Sequence, residues 1–248
     1  MVSSLSEAQI ERYSRQIILP QIGGKGQEVL LRSKVLVNGN GLLRDVALLY
    51  LAAAGVGTIG ILSAPHSSLF AALLPTQQEP VSATLADLNP DCYVVWHHDT
   101  ATCPAEQVVQ RYDIVLSGPD ESLHAACYAL QRPFLCAAVT HTGGWLFAAL
   151  GYQADFPCLQ CVTLHEAMGG ADFRARDLRH APILSSVRSP LVMYLGTIQA
   201  TEAVKLLLGA DLSSARKVWQ CHFSPLGFSE RVVEKNPQCP MCGPPSAR

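Results

Sequence analysis

Four of the nine cysteines stand in two short pairs of identical spacing, Cys158 with Cys161 and Cys239 with Cys242. A C-x-x-C loop points two thiolates toward one ion, and two such loops supply the four ligands of a tetrahedral structural zinc. The pairs lie about 77 residues apart, far more than in a zinc ribbon. The ion would therefore fasten the C-terminal segment to the middle of the fold. The alternatives are unrelated surface cysteines or a redox pair.

A second candidate site is a glycine turn in residues 35–57, which read VLVNGNGLLRDVALLYLAAAGVG. Gly39 and Gly41 follow an apolar strand and precede a helix. Turns of this kind place nucleotide phosphates at the N-terminus of a helix, where free backbone N–H groups bind them. Two glycines after a strand are a weak signal alone, so the neighbouring residues decide what the turn can bind.

Three residues that follow the turn are unfavourable for phosphate. Leu42 and Arg44 stand where close backbone approach and helix–strand packing call for small residues. Asp45 places a carboxylate in the first turn of the helix, where it competes with phosphate for the N–H groups and repels it. Arg44 could bind an anion instead, but Asp45 is placed to neutralise it.

The elements around these residues alternate between strand and helix. KVLVNG and GTIGIL are typical of buried strands, and LLRDVALLYLAAAG between them is typical of a helix. This β-α-β unit predicts parallel strands with a right-handed crossover. The alternation continues to about residue 150. We therefore expect an α/β fold with a Rossmann-like, doubly wound, mostly parallel sheet, helices on both faces, and short antiparallel strands near the C-terminus.

The pattern predicts one domain over residues 1–248. We expect N-terminal helices in residues 1–33, beginning with a capping box at Ser6 and Gln9, and a Rossmann-like core in residues 34–150. Residues 163–188 are polar and weakly periodic, which favours a mobile crossing loop. Residues 189–248 then hold a helix, two strands and the zinc knuckle. That helix is expected to begin with Ser189 as N-cap and Pro190 as its first residue.

Composition excludes several classes of protein. With 49% apolar residues, the 248-residue chain can bury a large core. A net charge of −2 gives no electrostatic footprint for nucleic acid or an anionic membrane. Glycines interrupt the longest apolar run, so we expect no membrane span. The polar N-terminal segment resembles neither a signal nor a transit peptide, which favours a cytoplasmic protein without a disulfide framework.

Several motifs together resemble the ThiF/MoeB/HesA family of the ubiquitin-activating enzyme superfamily. They are ERYSRQIILPQIGGKGQEVLLRSKVLV, the glycine turn with YLAAAGVGTIGIL, LNP, YDIVLSGPD, the two cysteine pairs, and GTIQATEAVKLLLG. The resemblance covers nearly the whole chain in order. It implies a structural zinc and a dimer. It also implies an enzyme that uses ATP and Mg²⁺ to adenylate the C-terminal glycine of a ubiquitin-like sulfur-carrier protein.

The chain departs from the family at many of the positions that serve ATP. The family's G-x-G-G-x-G turn keeps its first two glycines only. After the second strand, Ser63 replaces the family's ribose-binding acid and Pro65 replaces a second acid. Ala71 replaces an asparagine, Leu74 an arginine and Pro75 a glutamine. Gln77 or Gln78 replaces the phosphate-binding lysine. The family's acceptor cysteine is also missing, because no cysteine occurs between Cys161 and Cys221.

Two residues keep the family's pattern. Asp120 in LSGPD stands at the magnesium-binding aspartate, and its alternative role is that of a loop acid at a strand end. Arg15 in RYSRQ stands at the arginine that reaches the partner subunit's ATP, and its alternative is a surface charge. In the ubiquitin branch, heterodimers pair an active half with a degenerate one that lends this arginine.

These residues lead to ranked hypotheses. The first is a non-catalytic partner or scaffold subunit, in a homodimer or in a heterodimer with an intact family member, beside a carrier ending in Gly-Gly. The second is an active adenylyltransferase with a rearranged site, and only this one requires ATP and Mg²⁺. A dinucleotide-dependent oxidoreductase is the third; Ser63 would deny NAD its ribose ligand.

Overall fold

The computed structural model describes residues 5–39, 41–62, 81–97, 104–140, 143–169, 185–210, 212–223 and 226–243. One eight-stranded sheet runs through them in the order β3-β2-β1-β4-β5-β6-β7-β8. The strands are β1 (Lys34–Asn38), β2 (Thr58–Leu62), β3 (Tyr93–His97), β4 (Ile114–Ser117), β5 (Phe134–Val139), β6 (Gly143–Ala149), β7 (Lys217–Phe223) and β8 (Leu226–Val232).

The first five strands of this order pair in parallel, and β6, β7 and β8 continue the sheet in antiparallel fashion. This arrangement confirms the mostly parallel, doubly wound sheet with short antiparallel strands near the C-terminus. The buried β1 is continuous apolar sequence from Val35 to Val37, as a strand covered on both faces requires.

Nine helices are described: α1 (Glu7–Arg12), α2 (Ser14–Ile17), α3 (Gly23–Arg32), α4 (Leu42–Ala54), α5 (Val81–Leu88), α6 (Ala105–Val109), α7 (Glu121–Ala129), α8 (Leu159–Gly169) and α9 (Ser185–Leu207). The two faces of the sheet bury separate cores. Val35 and Val37 pack in one core with residues of α4 and α9, and Leu36 packs in the other with residues of α6 and α7. Successive side chains of β1 thus serve opposite layers.

The crossing segment is shorter than predicted. α8 extends to Gly169 and α9 begins at Ser185, so the mobile loop predicted for 163–188 is wrong at both ends. Residues 170–184 lie outside the described residues. Ser189 and Pro190 do not start the helix, because Pro190 lies inside α9. It removes only one backbone hydrogen bond, a cost that a helix of 23 residues can carry.

The N-terminal segment also differs in detail from its prediction. The capping box of Ser6 and Gln9 is present, but the helix that it starts ends at Arg12 and α2 follows as a separate turn. The glycines predicted to form a loop begin α3 at Gly23. Among the helices that the structure describes, none combines the length and the apolar character needed to cross a bilayer.

A polar network fastens these N-terminal helices to α4 and to the segment between α5 and β3. The Tyr13 hydroxyl donates to the Asp91 carboxylate at 3.0 Å and accepts a hydrogen bond from the Asn89 amide nitrogen at 2.9 Å. The Asn89 amide donates to the Ala52 carbonyl at 2.6 Å, near the end of α4. Arg12 completes the network through an ion pair with Asp91 at 2.5 Å. Burial raises the pKa of Tyr13 to about 12, so the hydroxyl stays a hydrogen-bond donor at neutral pH.

Candidate functional site: a glycine turn at the switch point and a four-cysteine cluster

The glycine turn lies at the topological switch point of the sheet. β1 and β4 are neighbours, and the chain proceeds from β1 toward β2 on one side and from β4 toward β5 on the other. The carboxyl ends of two such strands leave a crevice between their loops, where open α/β sheets bind ligands. Gly39 and Gly41 follow β1, and Asp120 follows β4. The fold therefore brings these three predicted site residues to one edge.

The backbone of the turn has the geometry that a phosphate loop requires. Gly39 has φ 126° and Gly41 has φ 75°, both in the region that favours glycine. A methyl group built on either residue would meet no atom within 4 Å, so the space above the turn is open. Gly41 is the N-cap of α4 and has no side chain to occupy the first N–H groups of the helix. The backbone alone could approach an anion.

Side chains of α4 oppose this backbone. Arg44 is 1% exposed and Asp45 is 2% exposed, so neither charge faces solvent. The Arg44 Nε and Nη2 atoms donate to the Asp45 Oδ1 atom at 2.8 and 2.5 Å. The Arg44 Nη1 atom reaches the Gly39 carbonyl at 3.5 Å. The guanidinium predicted as a possible anion ligand is thus turned inward, bound to a carboxylate in the first turn of its own helix.

Asp120 has a structural partner of its own. It is the N-cap of α7, and its Oδ1 atom accepts a hydrogen bond from the Leu123 N–H at 2.9 Å. The Asn38 amide donates to the Ser117 hydroxyl at 3.0 Å and to the Asp120 Oδ2 atom at 3.4 Å. Asn38, Ser117 and Asp120 thus form a small polar cluster at the carboxyl ends of β1 and β4.

Sequence reasoning missed Asn38 and Ser117. The available signal was their position, since each is the polar last residue of a strand at the switch point and follows three apolar residues. Arg15 is exposed on α2, and within the described ranges it makes no hydrogen bond or ion pair with the crevice residues. The other positions compared with the family lie outside the described residues: Ser63, Pro65, Ala71, Leu74, Pro75, Gln77 and Gln78.

The four paired cysteines meet in one buried cluster. The Sγ atoms of Cys158, Cys161, Cys239 and Cys242 all lie within 4.8 Å of one another. Contacts of 3.9, 3.5 and 3.3 Å join Cys158 to Cys161, Cys158 to Cys239, and Cys161 to Cys242. Zinc–sulfur bonds of about 2.3 Å in a tetrahedron place the sulfurs about 3.8 Å apart. The donor set therefore fits a tetrahedral ion, and the cluster could hold a metal.

Local hydrogen bonds favour the thiolate of one cysteine of this cluster. A hydrogen bond from the Cys158 thiol and another from the Asn236 backbone N–H lower the pKa of Cys161, which favours its thiolate. His124 supports the same region, because its Nε2 atom accepts the Leu159 N–H at 3.2 Å. Burial lowers the pKa of His124 to about 4, so the imidazole is neutral and can accept this bond.

The other described cysteines are core residues, as predicted. They are single and buried: Cys92, Cys127, Cys136 and Cys221. Burial raises the pKa of Cys92 and Cys221 to about 11, which disfavours nucleophilic thiolates. Cys103 lies outside the described residues. The His97 ring, at the end of β3, contacts the Tyr112 hydroxyl at 2.5 Å.

A doubly wound sheet with a glycine turn at its switch point defines a Rossmann-like protein, and its four-cysteine cluster could hold a metal. The sequence profile of the ThiF family matches residues 13–62 and 77–241, and the chain belongs to this family. The family resemblance inferred from the motifs is thereby confirmed.

Curated relatives carry adenylyltransferase names. The Escherichia coli sulfur carrier protein ThiS adenylyltransferase is 31% identical over 96% of the chain and 97% of its own length. The Escherichia coli molybdopterin-synthase adenylyltransferase is 29% identical, with 98% and 100% covered. The Aedes aegypti adenylyltransferase and sulfurtransferase MOCS3 is 33% identical over 97% of the chain, which spans only 57% of that protein.

Solved structures support the fold. PaaA superposes with a TM-score of 0.72 at 17% identity, covering 94% of this chain and 86% of that one. Escherichia coli MccB in complex with ATP superposes with a TM-score of 0.71 at 15% identity, covering 94% and 74%. At this identity the likeness establishes the architecture and leaves the chemistry to the residues of the site.

Proposed function

We propose that this chain is a non-catalytic ThiF-family protein that acts as a partner or scaffold subunit in a sulfur-carrier system. The observation that carries the proposal is the buried pair of Arg44 and Asp45 behind the glycine turn. The family's doubly wound sheet and the first two glycines of its phosphate turn are present. The nearest cation behind the turn is bound internally, and its carboxylate partner adds a negative charge where phosphate would approach.

The electrostatics of a nucleotide make this arrangement unfavourable. A triphosphate carries several negative charges, and their desolvation costs many kcal/mol unless cations compensate. Where the family has its arginine and lysine, this sequence has Leu74 and Gln77 or Gln78. Arg44, three residues after Gly41, is bound by Asp45. We infer that the crevice does not fit Mg-ATP at working concentrations.

A role as a partner subunit accounts for the two residues that keep the family pattern. Arg15 is exposed on α2, where it is available to a second subunit, in a homodimer or in a heterodimer with an intact family member. Asp120 caps α7 whether or not a metal binds, so its presence does not require magnesium chemistry. The partner expected for such a complex is a ubiquitin-like carrier ending in Gly-Gly or the enzyme that activates it.

We further propose that the four-cysteine cluster holds a structural zinc ion. Cys158 and Cys161 lie at the start of α8, and Cys239 and Cys242 follow β8, so the ion would join two segments that are distant in sequence. Four thiolates leave no open position for substrate, which supports a structural role. Thiols that bind a metal must stay reduced, and this suits the cytoplasm.

Nucleotide binding by the purified chain tests the proposal. We expect no heat on titration with Mg-ATP up to millimolar concentration, and no exchange of pyrophosphate into ATP with any carrier protein added. The ThiS adenylyltransferase of Escherichia coli with its own carrier serves as the positive control. Pyrophosphate exchange by this chain alone, above the protein-free background, would disprove the non-catalytic assignment.

One observation favours a second candidate, an active adenylyltransferase with a rearranged site. The space above Gly39 and Gly41 is open, and the Asp120 Oδ2 atom faces Asn38 in the crevice. Under this alternative, Asp120→Asn should abolish exchange while leaving the N-cap bond to Leu123 largely intact. If the wild type exchanges pyrophosphate and Asp120→Asn does not, the second candidate replaces the first.

A further inference from the structure

The second cysteine pair lies in a short segment beyond the last strand of the sheet, residues 234–243, which we call the C-terminal knuckle. Cys239 and Cys242 reach the cluster from this knuckle, whereas Cys158 and Cys161 lie at the start of α8. The buried residues of the knuckle are its two cysteines, so it has no apolar core of its own. Its position therefore depends on contacts with the middle of the chain.

One lysine joins the knuckle to the turn that follows β6. The Lys235 Nζ atom donates to the Gly151 carbonyl and to the Gln153 carbonyl, each at 3.3 Å. An ammonium group carries three donors, so it can bind two carbonyls of one turn at once. Among the described residues no carboxylate forms an ion pair with Lys235. The two carbonyls are thus the contacts that hold this side chain.

The turn that accepts these bonds touches the first cysteine pair. It is closed by its own hydrogen bonds, from the Gln153 N–H to the Leu150 carbonyl at 2.8 Å and from the Phe156 N–H to the Gln153 carbonyl at 3.3 Å. Gly151 packs directly on Cys158, because a methyl group built on Gly151 would clash with the Cys158 Cβ atom. A displacement of the turn would therefore displace Cys158.

The residue after Lys235 contacts both cysteine pairs. The Asn236 N–H donates to the Cys161 Sγ atom at 3.4 Å, and the Asn236 carbonyl accepts the Cys239 N–H at 3.0 Å. The Asn236 Oδ1 atom accepts the Gln238 N–H at 2.8 Å, which closes the loop that precedes Cys239. Lys235 therefore stands at the junction of the two pairs, with its side chain directed to one and its backbone continuing into the other.

We propose that Lys235 is a positioning residue of the metal site, which sets the distance between the two cysteine pairs so that their sulfur atoms converge on one ion. This inference rests on the zinc ion proposed above and adds a residue on which its affinity depends. Ligands that are already held in place lose less conformational freedom when the ion binds, so the ion binds more tightly. Removal of residues that orient metal ligands typically weakens metal binding by about 10- to 100-fold.

A lysine that stabilised the fold alone would behave differently. It would contribute equally to the metal-free and the metal-bound protein, so its loss would lower the stability of both and leave the zinc dissociation constant of the folded chain unchanged. A positioning lysine changes this constant, because without it the ion itself must bring the two pairs together. Zinc affinity measured on the folded chain therefore separates the two roles.

Competition with a chromophoric zinc chelator, on the full chain without nucleotide or carrier, measures this affinity. We expect Lys235→Met to raise the zinc dissociation constant by about 10- to 100-fold. Lys235→Arg should restore the wild-type constant, because a guanidinium can also donate to two carbonyls. Lys217→Met is the matched control and should leave the constant unchanged. Lys217 is half-buried like Lys235, but it binds Glu230 on the neighbouring strand and lies outside the knuckle.

Two further measurements exclude trivial causes. Circular dichroism in excess chelator shows whether each metal-free variant is folded. Lys235→Gln keeps an amide donor on a shorter stem, so it should weaken zinc binding less than Lys235→Met, and it decides the matter if Lys235→Met does not fold. With Co²⁺ in place of zinc, the ligand-field absorption of Lys235→Met should remain that of a tetrahedral four-thiolate site, because all four ligands are retained.

Three results would overturn the inference. An unchanged zinc dissociation constant in folded Lys235→Met would reduce the lysine to a tether of the fold. Equal weakening in Lys235→Met and Lys217→Met would show that the effect is not specific to the knuckle. A wild type that binds no zinc would overturn the proposed metal site together with the inference, and it is distinguished from the other two results because the variants are then irrelevant.

Discussion

Asp45→Asn should destabilise the protein far more than an equivalent change in a surface ion pair. The Arg44 Nη2 and Asp45 Oδ1 atoms lie 2.5 Å apart, with side-chain exposures of 1% and 3%. The Lys217 Nζ and Glu230 Oε2 atoms also lie 2.5 Å apart, but their side chains are 35% and 37% exposed. The two pairs match in distance and differ in burial, so they isolate the effect of burial.

The expected magnitudes are well separated. Removal of one partner from a buried ion pair leaves a desolvated charge and costs about 3–5 kcal/mol. Removal of one partner from an exposed pair costs about 0.2–1 kcal/mol, because water and salt already screen it. Against a typical stability of about 5–15 kcal/mol, Asp45→Asn should bring the chain much closer to unfolding, whereas Glu230→Gln should be nearly silent.

Urea unfolding followed by tryptophan fluorescence measures both changes, since Trp145 and Trp219 lie in or against the core. A double-mutant cycle with Arg44→Met and Asp45→Asn then gives the coupling energy of the pair directly. We expect a coupling above about 2 kcal/mol. Equal, small losses in Asp45→Asn and Glu230→Gln, or a coupling near zero, would refute the claim that Asp45 holds Arg44 in place.

Three further predictions concern stability. Cys239→Ser should abolish binding of the zinc ion proposed for the four-cysteine cluster and lower the thermal unfolding midpoint; an unchanged metal content would exclude the four-cysteine site. Burial lowers the pKa of His124 to about 4 in the folded protein, so its imidazole stays neutral there. In the unfolded chain the same imidazole takes up a proton below about pH 6.5. Stability should thus be complete above pH 6.5 and fall toward pH 4 by up to about 3 kcal/mol. His124→Gln should flatten that slope in urea titrations, and an unaltered slope would assign it to other groups. Asn89→Ala should cost about 2–3 kcal/mol by leaving the Ala52 carbonyl without its partner and removing one of the two partners of the Tyr13 hydroxyl; a loss under about 0.5 kcal/mol would contradict the network.

The architecture could be predicted from the sequence because its signals are local. Apolar runs such as KVLVN and TIGIL, separated by an amphipathic or apolar helix and closed by Gly55, determine the β-α-β unit. Two identical cysteine spacings were enough to predict a cluster across a long gap. The helix start predicted at Pro190 was wrong, because proline is frequent at helix starts but a long packed helix can also carry one in its interior.

The crevice could be predicted only in part. The sequence indicated that Asp45 could neutralise Arg44, because the two are adjacent. It could not indicate that both would be buried, since an arginine in the first turn of a helix is ordinarily exposed. It also could not assign Asp120 to the cap of α7 or bring Asn38 to it, because these contacts depend on the pairing of β1 with β4.

The elements that would surround a bound nucleotide, β1 and α4, also form part of the apolar core. The fold therefore does not depend on whether the chain binds a nucleotide. Val35, Val37, Leu48 and Leu51 are packed in one apolar cluster whether or not a phosphate lies above Gly41. A nucleotide-bound state that recruits Arg44 must first break the buried pair, at about 3–5 kcal/mol. That cost corresponds to an affinity lower by between about a hundredfold and several thousandfold than in a site whose cation is free. Under the proposed function, the fold therefore matches an ATP-dependent family while the buried pair of Arg44 and Asp45 would disfavour triphosphate binding.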